Sequence, residues 1–375
     1  MTTENRWSLG LPEYSFNHTR LTLARERRGL TKQALAEQCG VSRRTVSAWE
    51  AGEVESPPVD QLSHVLQLPS SFFGADDAPQ VEEEWVSFRA LSSMTARQVR
   101  RILSVSSLGV ELSNWIDKRY GTPSADLPDF SEAADLPPAA VAEQLRSIWG
   151  LHQKPVKNLL PFLERKGVRV YSLPIVDREI DSFAFHYEGR PFVFLNLSKT
   201  AERMRFDLAH ELGHLILHKE SQKNRSRQIE QEAHDFASSF LMPADGLYAQ
   251  VVGKLRLDDV FTLKNYWKVS ALAMVERLYG LEFISEWVRR RWIIELSQRG
   301  YRTAEPEGMH PETSKFFTDV FRLAREDGWS SRKIADDLDE SEEDLDSLVF
   351  GLAISSIAGG GQRGPALHGH LSVVK

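Results

Sequence analysis

The sequence is poor in cysteine: Cys39 is the only one among 375 residues. That excludes an intrachain disulfide framework and a cysteine-rich zinc finger, so any metal must be held by histidine and carboxylate. No apolar run approaches the roughly 20 residues that cross a bilayer. The N-terminal residues Met1 to Arg6 lack the basic-then-apolar order of a secretory signal. A cytoplasmic protein without a membrane partner is therefore the expectation. Nor is there an excess of positive charge: 46 Lys and Arg against 53 Asp and Glu give a formal net charge of −7. Taken over the whole chain, that balance argues against a nucleic-acid binder.

What is present changes the picture. Hydrophobic residues make up 41% and charged residues 26%, enough apolar surface to bury cores and to exclude wholesale disorder. At roughly 100–200 residues per domain the length implies two or three domains. The charge is also unevenly spread. From Asn17 to Ala51 seven Arg or Lys stand against three Asp or Glu, whereas from Arg325 to Ser347 three stand against ten. The expected organisation is a leader (1–15), a basic helical block (16–75), a linker with an amphipathic helix (76–136), an α+β domain (137–250), a C-terminal helical region (251–352) and a tail (353–375). The fold class is multidomain and mainly α, with one small sheet.

In the N-terminal block, Leu21 to Arg28 forms a basic helix closed by Gly29. Thr31 caps a second helix, Lys32 to Gln38, and Gly40 supplies a positive φ in the turn. Ser42 caps a third helix, Arg43 to Glu50, whose Val46 and Trp49 face inward. Arg43, Arg44, Thr45 and Ser47 then fall outward near the helix start, where base edges are read in a major groove. Lys32 and Gln33 are placed for phosphate contacts. Glu50 is expected to hydrogen-bond within the bundle and Cys39 to pack in the turn. The runs Leu30–Ala36, Gly40–Ser42 and Trp49–Gly52 resemble the Cro/repressor-type (XRE) helix-turn-helix family. That resemblance implies a double-stranded operator as partner and a homodimer reading paired half-sites.

The second chemical signal is His210-Glu211-Leu-Gly-His214 within an apolar helical pattern. Histidines at i and i+4 share a helix face and can grip one cation, and the glutamate beside the first can take a proton from water. Gly213 allows close approach by a neighbouring element. A third protein ligand is needed. His218 lies about 12 Å beyond His210 along the axis, too far for the same ion, and reads as a helix-end residue. On the following helix Glu230, Ala233 and Ala237 share a face, and the small alanines let that helix press close, which favours Glu230. Glu232 falls off that face and is expected in solvent. His234 and Asp235 are candidates to hydrogen-bond a ligand histidine, with a packing or surface role as the alternative.

Phe206 to His218, Ile229 to Ala233 and Phe236 to Pro243 are similar to the ImmA/IrrE family of metallopeptidases, over roughly residues 140–250. The resemblance implies a gluzincin-like site with Zn2+, or another divalent metal such as Mn2+, on His210, His214 and Glu230, and Glu211 as catalytic base. It also implies a protein substrate, with a repressor as the leading candidate. The alternative is a non-catalytic repressor or antitoxin-like regulator whose metal-site domain is structural or senses a ligand. Tyr171, His186, Tyr187 and Tyr248 are candidate oxyanion stabilisers by composition, though each reads first as an ordinary strand or helix residue. The hairpin Phe183 to Asn196 could offer an edge to an extended peptide. The acidic run Glu340 to Asp346 would be repelled by phosphate and reads as a solvated helical cap. Trp287 and Trp292 are expected to anchor a charged helix face in the core.

Overall fold

The computed structural model describes residues 15–54, 56–86, 94–131, 135–173, 182–218, 227–349, 352 and 372–373. The expected leader and tail lie, apart from residues 15 and 372–373, outside the described residues. The chain divides into two compact units. One comprises Met1–Val81, Thr95–Leu112 and Ser330–Leu345; the other comprises Glu82–Met94, Ser113–Trp329 and Asp346–Lys375. Among the described residues no helix is long and apolar enough to cross a membrane.

The first unit is built on four short helices, α1 (His18–Arg27), α2 (Lys32–Gln38), α3 (Arg43–Glu50) and α4 (Val59–Leu66). Helix α1 starts three residues before the apolar pattern does, because the Asn17 side chain accepts the Thr19 amide at 3.0 Å. The Thr31 and Ser42 hydroxyls accept the amides of Ala34 and Thr45, both at 3.1 Å, and so start α2 and α3. Gly40 between them has φ +65° and open space where a Cβ would stand, so backbone conformation rather than crowding calls for glycine there. Leu21, Leu35, Val46, Trp49, Leu62 and Phe72 close the core, with Cys39 buried at its edge. Helix α5 (Ala96–Arg119) opens with a reciprocal cap. Thr95 Oγ1 accepts the Gln98 amide at 3.3 Å, and Gln98 Oε1 accepts the Thr95 amide at 2.8 Å. Its residues through Leu112 count with the first unit and the rest with the second.

The second unit holds a three-stranded sheet of β1 (Arg169–Ser172), β2 (Ser182–Tyr187) and β3 (Arg190–Leu195) in the order β1-β3-β2. Strands β1 and β3 run parallel; β2 and β3 form an antiparallel hairpin in which Ser182 faces Leu195. Glu188 and Gly189, both at positive φ, make the two-residue turn that matches strand twist. Phe183 stacks on Phe194 at 4.9 Å and Phe185 on Phe192 at 5.2 Å, so the hairpin aromatics fill the core.

Helices α6 (Pro138–Ile148) and α7 (Leu159–Arg165) precede the sheet, and α8 (Ala201–Leu217) and α9 (Arg227–Leu241) follow it. Helix α7 is shorter than the 155–165 pattern, because the Val156 carbonyl accepts from Arg205 and the Leu160 amide donates to Glu312 at 2.7 Å. After α10 (Ala244–Tyr248), the helical stretch expected over 255–295 is broken into α11 (Leu257–Trp267), α12 (Ala271–Gly280) and α13 (Glu286–Gln298). Left-handed Lys268 ends α11 and the Ser270 hydroxyl restarts the chain by accepting the Ala273 amide. On α13, Trp292 is buried but Trp287 is 69% exposed, so only one of the two expected anchors reaches a core. Helix α14 (Lys315–Glu326) is capped by the buried Glu164 of α7, whose carboxylate accepts the Lys315 and Phe316 amides at 2.9 and 3.0 Å. Burial pushes that carboxyl up to about 7 against these hydrogen bonds.

Helices α15 (Ser331–Asp337) and α16 (Glu342–Val349) are the last helices among the described residues. The acidic turn between them departs from the expected solvated cap. Glu340 is buried against Arg27 at 2.5 Å, and Asp344 pairs with Arg28 at 2.7 Å. Burial raises the Glu340 carboxyl to about 7, opposed by Arg27. The local excess of acid therefore neutralises Arg27 at the end of α1 and Arg28 just beyond it instead of only facing water.

Candidate metal centre

Helix α8 is held rigidly before it reaches the site. Thr200 caps it, Lys199 and Arg203 both pair with Asp207, and the buried Arg205 binds Glu312. One turn later His210, Glu211 and His214 are all buried. Helix α9 crosses α8 at Gly213. A Cβ there would stand 3.1 Å from Phe236 Cδ1 and 3.2 Å from the Ala233 backbone. The glycine and the buried Ala233 and Ala237 thus let two backbones approach closely, which carries Glu230 over the two histidines. The far end of α9 is fixed by buried Arg146 of α6, which donates to the carbonyls of Phe240 and His152.

The result is a compact donor set. His210 Nε2 and His214 Nε2 lie 3.1 Å apart. The Glu230 oxygens lie 3.3 Å from the first and 3.4 Å from the second. Tetrahedral zinc with bonds near 2.0–2.1 Å separates its ligand atoms by about 3.3 Å, close to the spacing of the two histidine nitrogens and of each from its nearer Glu230 oxygen. Within that set burial pulls the Glu230 carboxyl upward, but hydrogen bonds and charge from both histidines outweigh it and hold the carboxyl well below the usual range. Three protein ligands leave one coordination position for water or substrate.

Two further contacts add to the site. The Ser182 hydroxyl at the start of β2 donates to Glu211 Oε1 at 2.7 Å and orients that carboxylate. His218 stands at the end of α8, outside the cluster of His210, His214 and Glu230, and its Nδ1 lies 3.2 Å from His214 Nδ1. Its Nε2 lies 2.9 Å from Glu232 Oε2, so Glu232 is engaged in a chain behind the ligand histidine rather than solvated as expected. The i, i+4 spacing of His214 and His218 was the available signal for that contact; nothing in the sequence linked Ser182 to Glu211. His234 is exposed and packs on Phe206 at 5.0 Å, and Asp235 accepts from Gln231 at 2.9 Å.

Of the candidate oxyanion stabilisers, Tyr171 is committed to the core. Its hydroxyl shares a hydrogen bond with Ser113 at 2.8 Å, and burial pushes it up to about 12. Tyr248 is half exposed and packs on Phe283 at 4.9 Å. Tyr187 sits at the opposite end of β2 from Ser182, against Trp85 at 6.1 Å.

In the first unit, Arg43 and Arg44 are exposed at the start of α3, while Thr45 and Ser47 are half-buried. The Thr45 hydroxyl is shared with Ser42 at 2.8 Å. Lys32 is partly committed to Glu50 at 3.0 Å, and Gln33 donates to Glu37 at 2.8 Å. Glu50 also accepts from Arg25 at 2.5 Å, the intrabundle role expected of it. Lys32, Gln33 and Arg43 share one recess; Arg44, Thr45 and Ser47 lie outside it.

Two family models match parts of the chain. Residues 21–66 match the helix-turn-helix model HTH_3, and residues 163–279 match Peptidase_M78, the IrrE N-terminal-like domain. A search of curated proteins returned no match to the chain.

Proposed function

We propose that this chain, a helix-turn-helix module joined to an IrrE N-terminal-like domain, is a transcriptional regulator whose second domain cleaves a protein by metal-assisted hydrolysis. The observation that carries the reading is the donor triangle of His210, His214 and Glu230 with Glu211 buried beside it. A divalent ion held there, with zinc favoured by two imidazoles and one carboxylate, would supply Lewis acidity to water and to the scissile carbonyl. Glu211, held by Ser182, accepts the proton of the attacking water and returns it to the leaving amine. A repressor or other regulatory protein is the substrate class that fits a hydrolase tethered to operator DNA. Such modules read paired half-sites as dimers, so a homodimer is part of the proposal.

The test compares zinc-loaded parent protein with Glu211→Gln, incubated with candidate repressors and read by mass spectrometry. Cleavage by the parent and none by the variant is the expected result. Equal outcomes, with operator binding intact in both, would leave a regulator whose metal-site domain is structural or senses a ligand.

A further inference from the structure

The recess that gathers Lys32, Gln33 and Arg43 has a volume of about 540 Å³, and part of its wall comes from outside the helix-turn-helix. Arg97 and Arg100, from the first turns of α5, line it together with Arg25, Lys32 and Arg43. Five cations thus surround one space, and the acidic side chain lining it is Glu26. Glu50 lies behind, engaged by Arg25 and Lys32. Arg100 reaches Glu26 only at 3.4 Å and remains half exposed. Among the described residues neither Arg43 nor Arg97 has an ion-pair partner, and both are exposed. An excess of guanidinium groups around an open recess is the chemistry that receives phosphate oxygens.

The position of these arginines argues against a purely structural role. The Thr95–Gln98 cap fixes Arg97 in the first turn of α5, where the helix dipole disfavours a cation. No acidic residue accompanies it in that turn. Arg97 and Arg100, three residues apart, fall on one helix face. That face opens on the N-terminus of α2, the part of a helix-turn-helix that lies along the DNA backbone.

We propose that Arg97 and Arg100 are DNA-phosphate ligands, so that α5 extends the DNA-binding surface beyond the helix-turn-helix. The proposal rests on the DNA-binding reading of the module above. It assigns the pair a role in affinity, not sequence choice: the contacts go to backbone phosphates common to every duplex.

The test uses full-length protein and a fluorescein-labelled duplex of random sequence, with anisotropy titrations across a series of chloride concentrations. Each phosphate contact contributes about 0.9 to the slope of log affinity against log salt. Arg97→Ala with Arg100→Ala should lower that slope by about 1–2 and weaken low-salt binding by about 10-fold or more, with an unchanged melting temperature. Lysine at both positions should restore most of the slope. An unaltered slope and affinity, in a protein that Arg43→Ala does weaken, would overturn the proposal while leaving the module a DNA binder. A parent protein that binds no duplex would overturn the DNA-binding reading and the proposal with it. Inorganic phosphate at matched ionic strength should compete no better than chloride; selective displacement by phosphate would assign the recess to a small phosphate-bearing ligand instead.

Discussion

The proposed metal centre and the proposed DNA-reading helix solve opposite problems. At the metal centre, His210, Glu211 and His214 are buried, and Glu230 arrives from a second helix packed against the first through Gly213. Function there is inseparable from packing: the donor spacing exists only because two backbones are close. On α3, Val46 and Trp49 hold the core while Arg43 and Arg44 project into solvent. On the proposed reading, function there is carried by exposed side chains outside the core. The difference teaches where a substitution should act on activity alone and where it should act on fold and activity together.

The sharpest way to break that comparison is on the exposed side. Arg43→Ala with Arg44→Ala should cost about 1–3 kcal/mol of operator affinity for each base edge no longer read. The melting temperature should stay at the parent value. A large loss of stability instead would mean that these arginines belong to the fold. Next in size is His218→Ala, which removes the group hydrogen-bonded between His214 and Glu232. Groups that orient a ligand histidine are typically worth 10–100-fold in metal affinity or activity. A zinc titration with a competing chelator should show a loss of about that size; an unchanged affinity would reduce the chain to a helix-end detail. The most conservative change is Gly213→Ala. Its methyl would meet Phe236 and the Ala233 backbone, and overpacking of this kind costs about 1–3 kcal/mol. Thermal unfolding should show that loss with reduced metal content in the same protein, whereas lost stability with full metal content would uncouple the helix pair from the site.

The two regions were also unequally legible in the sequence. The bounds of α2 and α3, their caps and the outward placement of Arg43 and Arg44 follow from local rules acting over three or four residues. So do the two histidines, because i and i+4 on a helix is a local relation. Glu230 needed one tertiary step, that small residues at Ala233 and Ala237 mark a close helix contact. Ser182 needed more than the chain could tell, since 29 positions separate it from Glu211 and nothing in a strand-initiating serine announces its partner. Glu340 misled for a related reason. An acidic run reads as solvated unless its counter-ion is known, and Arg27 lies 313 residues away in sequence. Arg97 and Arg100 were hidden by their own helix, whose apolar stripe accounts for its amphipathic pattern without them.

The claim on which everything else depends is that His210, His214 and Glu230 together hold one metal ion beside Glu211. Metal stoichiometry by mass spectrometry after zinc loading and desalting tests it most directly, comparing the parent, Glu230→Ala and Glu211→Gln. We expect one zinc per chain in the parent and in Glu211→Gln, and a loss in Glu230→Ala of more than the roughly 100-fold in affinity that an outer hydrogen bond is worth. Full zinc occupancy in Glu230→Ala, with parental affinity, would contradict the account and place the third ligand elsewhere.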